Sequence, residues 1–245
     1  INEKSLQNNK QNYKKTGAFG GFYCKIKSYK NDAEVKTYSE DILNGYVSVP
    51  TRRFLDDHIN LEAHQAFGIR YDHTSQRIII PIRNPYGELI GVKGRANWKV
   101  SDDEPKYLYL VPTTVSSTLY GYCENYEYLK DTIYVFEAEK SVMQCYSYGI
   151  RNAVALAGNN LSNTQCKLLL ERNPNTIVFM LDTGLDFEHI EKNAKTILAY
   201  SKMRNIEIKY WDTAITLLPD KASPSDFGAE TLKEIIETEL EVYSE

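Results

Sequence analysis

Two acidic residues stand where short apolar runs stop. Glu137 follows Thr-Ile-Tyr-Val-Phe at 132–136, and Asp182 follows Thr-Ile-Val-Phe-Met-Leu at 176–181. Two further runs, 153–156 and 206–211, end at Ala-Gly-Asn-Asn (157–160) and at Asp212. In an open parallel sheet, ligands gather at the carboxyl ends of the strands, where carbonyls, helix N-termini and loops converge. If these runs are neighbouring strands, Glu137 and Asp182 face one another across a crevice. Mg²⁺ wants hard oxygen ligands and takes only one or two carboxylates beside substrate phosphates, so a sparse pair fits phosphate chemistry. A carboxylate at a strand end is also a common helix N-cap, and position alone leaves both uses open.

The elements that must hold this pair alternate in type. Between the four apolar runs lie stretches of helical character at 139–148, 162–171 and 187–203. Strands without apolar/polar alternation, separated by helices, predict a parallel sheet covered on both faces. The first half reads differently. Residues 77–83 (Arg-Ile-Ile-Ile-Pro-Ile-Arg) and 89–93 (Leu-Ile-Gly-Val-Lys) flank an Asn-Pro-Tyr-Gly-Glu turn and predict a hairpin, with a further short strand at 106–110. A helix or broken helix pair is expected over 51–67, with Gly68 at a C′ position, and a strand over 22–30. The change from hairpins to strand–helix alternation places a boundary near residue 125. The fold class is therefore α/β: a sheet of about four parallel strands flanked by helices, preceded by a smaller mixed α+β subdomain.

Composition excludes the extremes. With 245 residues, 42% hydrophobic and 25% charged, the chain has material for one large or two small folded units. Its 29 basic and 33 acidic residues give a net charge of −4. No global field attracts polyanions, so a nucleic-acid partner requires a local basic patch or a bound metal. The 19 tyrosines are read as packing residues rather than a base-stacking surface. Cys24, Cys123, Cys145 and Cys166 are too far apart for paired ligation and are expected as buried thiols in a reducing, cytoplasmic setting. Neither a spanning apolar run nor a signal peptide is evident, so no membrane partner is expected. GxGxxG after a strand, GxxxxGK[ST], HExxH and GxSxG are all missing. His58 and His64 are expected as exposed helix residues. Residues 1–18, with Lys4, Lys10, Lys14 and Lys15 against Glu3, are expected as a flexible basic arm, either a solvated terminus or a phosphate contact.

These residues carry a resemblance. Residues 133–226 resemble a Toprim domain, the metal-binding fold of DnaG-type primases, topoisomerases and some nucleases. The first signature is Tyr-Val-Phe-Glu137-Ala-Glu-Lys-Ser, close to the phage-type Glu-Gly-Glu-Lys-Ser with Ala138 in place of glycine. The second is Leu-Asp182-Thr-Gly184, where the family has an aspartate pair. The preceding half resembles the N-terminal part of the bacterial and phage primase polymerase core. It carries the hairpin, then Tyr-Gly-Glu-Leu-Ile-Gly-Val-Lys-Gly-Arg (86–95), Pro-Lys-Tyr-Leu (105–108) and Leu-Tyr-Gly (119–121). The similarity covers about residues 65 to 228.

The resemblance implies synthesis of short RNA primers on single-stranded DNA from ribonucleoside triphosphates, with a replicative helicase as partner. Glu137 and Asp182 would hold Mg²⁺ or Mn²⁺. The ion would activate the primer 3′-hydroxyl and neutralise the incoming triphosphate. Arg95 and Lys106 match the family's basic template or nucleotide contacts, with Arg77, Arg83 and Lys93 close in sequence, and Lys140 of the first signature is expected as a further nucleic-acid or nucleotide contact. The hairpin is expected to gather several of them on one face as a phosphate-tracking groove.

The departures concern ligands. Gly184 replaces the second aspartate, Ser141 replaces an acid of the first motif, and Ser-Pro-Ser-Asp226 keeps one carboxylate of a later acidic segment. The lysine that usually precedes Leu-Tyr-Gly is absent, with Val115 and Ser116 near its place. Asp186, Asp226 or Glu139 could complete a metal site; Asp186 could instead cap the helix after it. The family's zinc ribbon is missing, so zinc is expected only if such a module lies upstream of Ile1. The expected organisation is a basic arm (1–18), an N-terminal core subdomain (19–125), a Toprim-like domain (126–228) and an acidic, amphipathic C-terminal helix (229–245). A strand-breaking Toprim enzyme and a catalytically weakened nucleic-acid-binding accessory protein are the alternative functions.

Overall fold

The computed structural model describes residues 35–101, 103–202, 204–212, 219 and 221–244. The basic arm, the strand over 22–30 and Cys24 lie outside the described residues. Within them, two short helices open the core, α1 (Arg52–Asp56) and α2 (Leu61–Ala66). The broken pair expected over 51–67 is present. Helix α2 ends as a Schellman motif: the Gly68 N–H donates to the Gln65 carbonyl (3.1 Å) and the Ile69 N–H to the His64 carbonyl (2.9 Å). His64 departs from expectation. It is buried against the Phe54 ring, since the kink between α1 and α2 turns this face inward, and burial holds its imidazole below the ordinary pKa.

Four antiparallel strands follow in order: β1 (Arg70–Asp72), β2 (Arg77–Arg83), β3 (Leu89–Ala96) and β4 (Tyr107–Val111). The hairpin does not collect its basic residues on one face. Ile80 pairs with Lys93 and Ile78 with Arg95, so both cations share the face that Ile78 and Ile80 turn into the main core. Arg77 is one residue out of phase with Ile78 and points the other way, because side chains alternate with period two.

The second sheet has strand order β6-β5-β7-β8-β9 (Ala153–Ala155, Thr132–Phe136, Thr176–Met180, Glu207–Trp211 and Leu240–Val242). The first four are parallel, as expected. Helix α3 (Glu139–Ser147) covers one face, while α4 (Asn163–Glu171) and α5 (Phe187–Tyr200) cover the other. Alternation divides the strands between two cores: Ile133, Val135, Ile177 and Phe179 pack with α4 and α5, and Phe136, Val178, Met180 and Trp211 with α3. The second cluster also contains Phe54, Ile78, Ile80, Ile82 and Ile90, so the two sheets share one apolar layer.

The C-terminal stretch is not a single helix. Helix α6 (Ala229–Thr238) buries Leu232 and Ile235, and then β9 pairs antiparallel with β8. Leu240 and Val242 suit either spacing, and pairing covers the edge that β8 would otherwise leave open. The Tyr210 hydroxyl donates to Glu241 (2.6 Å) and the Trp211 indole to Glu239 (3.3 Å) across this join.

The Leu-Tyr-Gly segment acts as an added partner at the other edge, where Tyr120 exchanges both backbone hydrogen bonds with Ala155 (2.9 Å each). Gly121 permits this at φ +83°, and a Cβ there would lie 2.6 Å from Val142 of α3. Glycine is needed on both counts.

Candidate functional site

Strand order decides where a site can form. The chain leaves β5 through α3 toward β6 and leaves β7 through α5 toward β8, on opposite faces and in opposite directions along the sheet. The crevice at such a switch point lies beyond the carboxyl ends of β5 and β7. Glu137 follows β5 and Asp182 follows β7 shortly after its last residue. Ala138, the departure from the family motif, has φ −109° and ψ 150° at the N-cap of α3, an extended backbone any residue adopts.

The carboxylates interact. Burial raises the Asp182 carboxyl to about 7, and the charges of Glu137 and Asp226 push the same way against Lys140 and a hydrogen bond from Ser223. Burial also raises Glu137, with His189 of α5 opposing it. Asp182 Oδ1 is buried and has no hydrogen-bond partner among the described residues. An orphaned carboxylate oxygen beside a second acid is costly in itself and is the donor set a hard divalent cation satisfies.

The segment carrying Asp226 is fastened to the strand end by Thr183. The Thr183 N–H donates to the Ala222 carbonyl (2.9 Å), and its hydroxyl accepts from the Ala222 N–H (2.8 Å) and donates to the Pro219 carbonyl (2.5 Å). A hydroxyl chain continues inward. Ser141 donates to Ser223 (2.9 Å), and Ser223 in turn donates to Asp182. Gln144 donates to Asp226 (3.1 Å) and to the Asp57 carbonyl (2.8 Å), and accepts from Ser225 (2.8 Å). Where the family motif carries an acid, Ser141 is a fully buried link in this network.

The other expected ligands are differently placed. Asp226 forms an ion pair with Lys140, and its carboxyl sits below the ordinary value: burial raises it, but Lys140 and the hydrogen bonds outweigh burial. Asp186 is exposed at the N-cap position of α5 and makes no capping hydrogen bond. Glu139 is consumed by Lys93, whose ammonium donates to both its oxygens (2.7 and 2.9 Å), with side-chain exposures of 13% for Lys93 and 3% for Glu139. Gly184 has φ +83°, a backbone that an aspartate would adopt only with strain. Among the described residues, no three His, Cys, Asp or Glu side chains are grouped to hold one ion.

The basic residues divide into braces and a rim. Arg77 is buried, donating to the carbonyls of Gly94, Pro105 and Lys106 and lying 5.1 Å from the Trp98 ring, so it braces the β3–β4 loop. Arg83 pairs with Glu40 and donates to the Gly87 carbonyl (2.9 Å), a turn brace. Arg95 pairs with Asp57 beneath the Phe54 ring, and its Nε is buried without a partner among the described residues. Lys106 is exposed, and desolvation followed by the charges of Arg95, Lys140 and Arg53 lowers its pKa, with Asp57 opposing. Exposed Lys106 and half-buried Arg53, backed by the charge of the buried Arg95, thus form a positive rim that approaches the acidic crevice through Lys140, which acts on both Lys106 and Asp182. Sequence reasoning missed Arg53, Asp57, Gln144, Thr183, Ser223 and His189. Only His189, seven positions beyond Asp182 on the next helix, left a local signal.

Comparison with solved structures settles the architecture. The chain superposes on a DnaG primase catalytic domain, solved bound to single-stranded DNA, with TM-score 0.65 at 20% identity over 83% of this chain and 77% of that one. The fold is that of the DnaG primase catalytic core. In sequence this primase-like core is 29% identical over 245 aligned positions to the SPbeta prophage-derived uncharacterized protein YorJ of Bacillus subtilis, covering 88% of the chain and 64% of YorJ. It is also 29% identical over 185 positions to the DNA primase of Aquifex aeolicus, covering 72% of the chain. The chain spans 64% of YorJ and 35% of the Aquifex primase. No family model matches the chain. No helix among the described residues is long and apolar enough to cross a membrane.

Proposed function

We propose that this primase-like core synthesises short RNA primers on single-stranded DNA by metal-dependent nucleotidyl transfer. The observation that carries the reading is Asp182 Oδ1, buried and unpartnered beside Glu137 at the switch point of a DnaG-core fold. Glu137 and Asp182 would hold Mg²⁺ or Mn²⁺, which supplies Lewis-acid stabilisation of the developing charge on the transferring phosphoryl group. Ser223 and Thr183 orient Asp182 and the segment beside it. Lys106 and the half-buried Arg53 form the positive rim for the nucleotide's phosphates or the template backbone, backed by the charge of the buried Arg95, the local patch that a net charge of −4 requires. Arg77 and Arg83 act as braces that shape this rim rather than touching the polyanion. A cytoplasmic replication setting and a helicase partner belong to the same reading.

Incubation with single-stranded DNA, ribonucleoside triphosphates and Mn²⁺ tests it. Labelled oligoribonucleotides are the expected product. DNA shortening would replace the reading with a strand-breaking enzyme. Neither product, with DNA retained on the protein, would replace it with an accessory binding role, to which Gly184 and Ser141 give the specific support.

A further inference from the structure

The charges of Glu137 and Asp226 both act on Asp182, and Ser223 links two of the three by donating its hydroxyl to Asp182 and its backbone N–H to Asp226, yet the three carboxylates are not equally available. Both oxygens of Asp226 are occupied: Oδ1 by the Lys140 ammonium and Gln144, and Oδ2 by the Ser223 backbone N–H at 3.2 Å. Asp182 keeps one oxygen with no partner among the described residues. The neighbouring acid Glu139 is committed to Lys93. The two positions that would widen the ligand set are a buried serine hydroxyl and a glycine at φ +83°. Glu137, Asp182 and Asp226 carry three negative charges when ionised, and Lys140 cancels one of them. The remainder is what a single divalent ion neutralises.

We infer that Lys140 supplies, as a tethered ammonium, the charge a second divalent ion would bring, holding Asp226 out of the ligand set so that the chain binds one ion on Glu137 and Asp182. This rests on the proposed metal site. Lys140 is thereby a positioning and charge-balancing residue. It reaches Asp226 directly and acts on Asp182 and Lys106 through space, so it lies between the acidic crevice and the basic rim. Loss of its charge leaves the half-buried Asp226 acting on Asp182 with only neutral donors around it, an arrangement that a second cation relieves.

Titration of the metal-free protein with Mn²⁺, read by the electron paramagnetic resonance signal of the free ion, tests this without turnover. The wild-type chain is expected to take up one Mn²⁺, Lys140→Arg one, and Lys140→Gln two; Lys140→Gln combined with Asp226→Asn should return to one. Uptake of two ions by the wild type, or a Lys140→Gln titration identical to wild type, would overturn the inference while leaving the metal site standing. No uptake by the wild type would remove the site and the inference together. Should Lys140→Gln not fold, Asp226→Asn alone decides: one ion still bound supports the assignment, and loss of that ion makes Asp226 a ligand and overturns it.

Discussion

Glu137 and Glu139 are two residues apart in sequence and live in opposite circumstances. Glu139, on the first turn of α3, is sealed into an ion pair with Lys93 of the other sheet, both oxygens satisfied. Glu137, at the tip of β5, shares its crevice with a second carboxylate that has an unpartnered oxygen. One acid ties α3 to the first sheet, and the other leaves an electrostatic demand unmet. A buried charge with a complete partner set is part of the scaffold, whereas an incomplete one marks the place where something else must bind.

The sharpest way to break this contrast is to neutralise each acid in turn. Glu137→Gln or Asp182→Asn should lower primer synthesis by more than the ~10- to 100-fold that loss of an outer-shell partner costs a metal site. Thermal unfolding should be no lower than wild type. Equal activity in both variants would dissolve the distinction. Lys93→Met should do the reverse, destabilising the fold by roughly 3–5 kcal/mol because Glu139 is left buried without its counter-charge. Denaturant titration measures that, and a change under 1 kcal/mol would show the pair to be dispensable.

The pH dependence sharpens the same comparison. The folded-state pKa of Asp182 lies near 7 against an ordinary 3.8, so the metal-free fold holds this proton more tightly than the unfolded chain does. Its contribution to stability is complete below about pH 4 and is lost as pH rises through 7. Asp182→Asn, which cannot ionise, should therefore exceed metal-free wild type at pH 8 by on the order of 4 kcal/mol and match it near pH 4. Mn²⁺ should bind more tightly as pH rises from 6 to 8, with proton release visible in calorimetry across two buffers of different ionisation heat. The smallest expected effect separates rim from brace. Lys106→Ala should weaken single-stranded DNA binding severalfold and reduce the salt slope by about one. Arg77→Ala should lower stability while leaving the slope unchanged.

The acidic pair was legible because strand-end position is a local property: an apolar run, then a carboxylate, then a helix. The alternation of β5 to β8 with helices was legible for the same reason. What could not be read was set by register and by distance along the chain. Arg77 and Arg95 look alike in a hairpin until pairing shows that Arg95 shares the face of Ile78 while Arg77 opposes it. The Ser141–Ser223 bond spans 82 positions and involves residue types common in any loop, so nothing local announced it. His64 was misplaced because a helical stripe loses its phase where the helix breaks, and β9 because Leu240 and Val242 fit a helix and a strand equally.

The shared apolar layer bears on how the chain can be dissected. Ile78, Ile80 and Ile82 of one sheet meet Phe136, Val178 and Met180 of the other in a single cluster. A cut near residue 125, where the two patterns part in sequence, would peel both greasy surfaces open at once. Fragment expression should accordingly give insoluble pieces, and work on isolated halves calls for co-expression so that each shields the other.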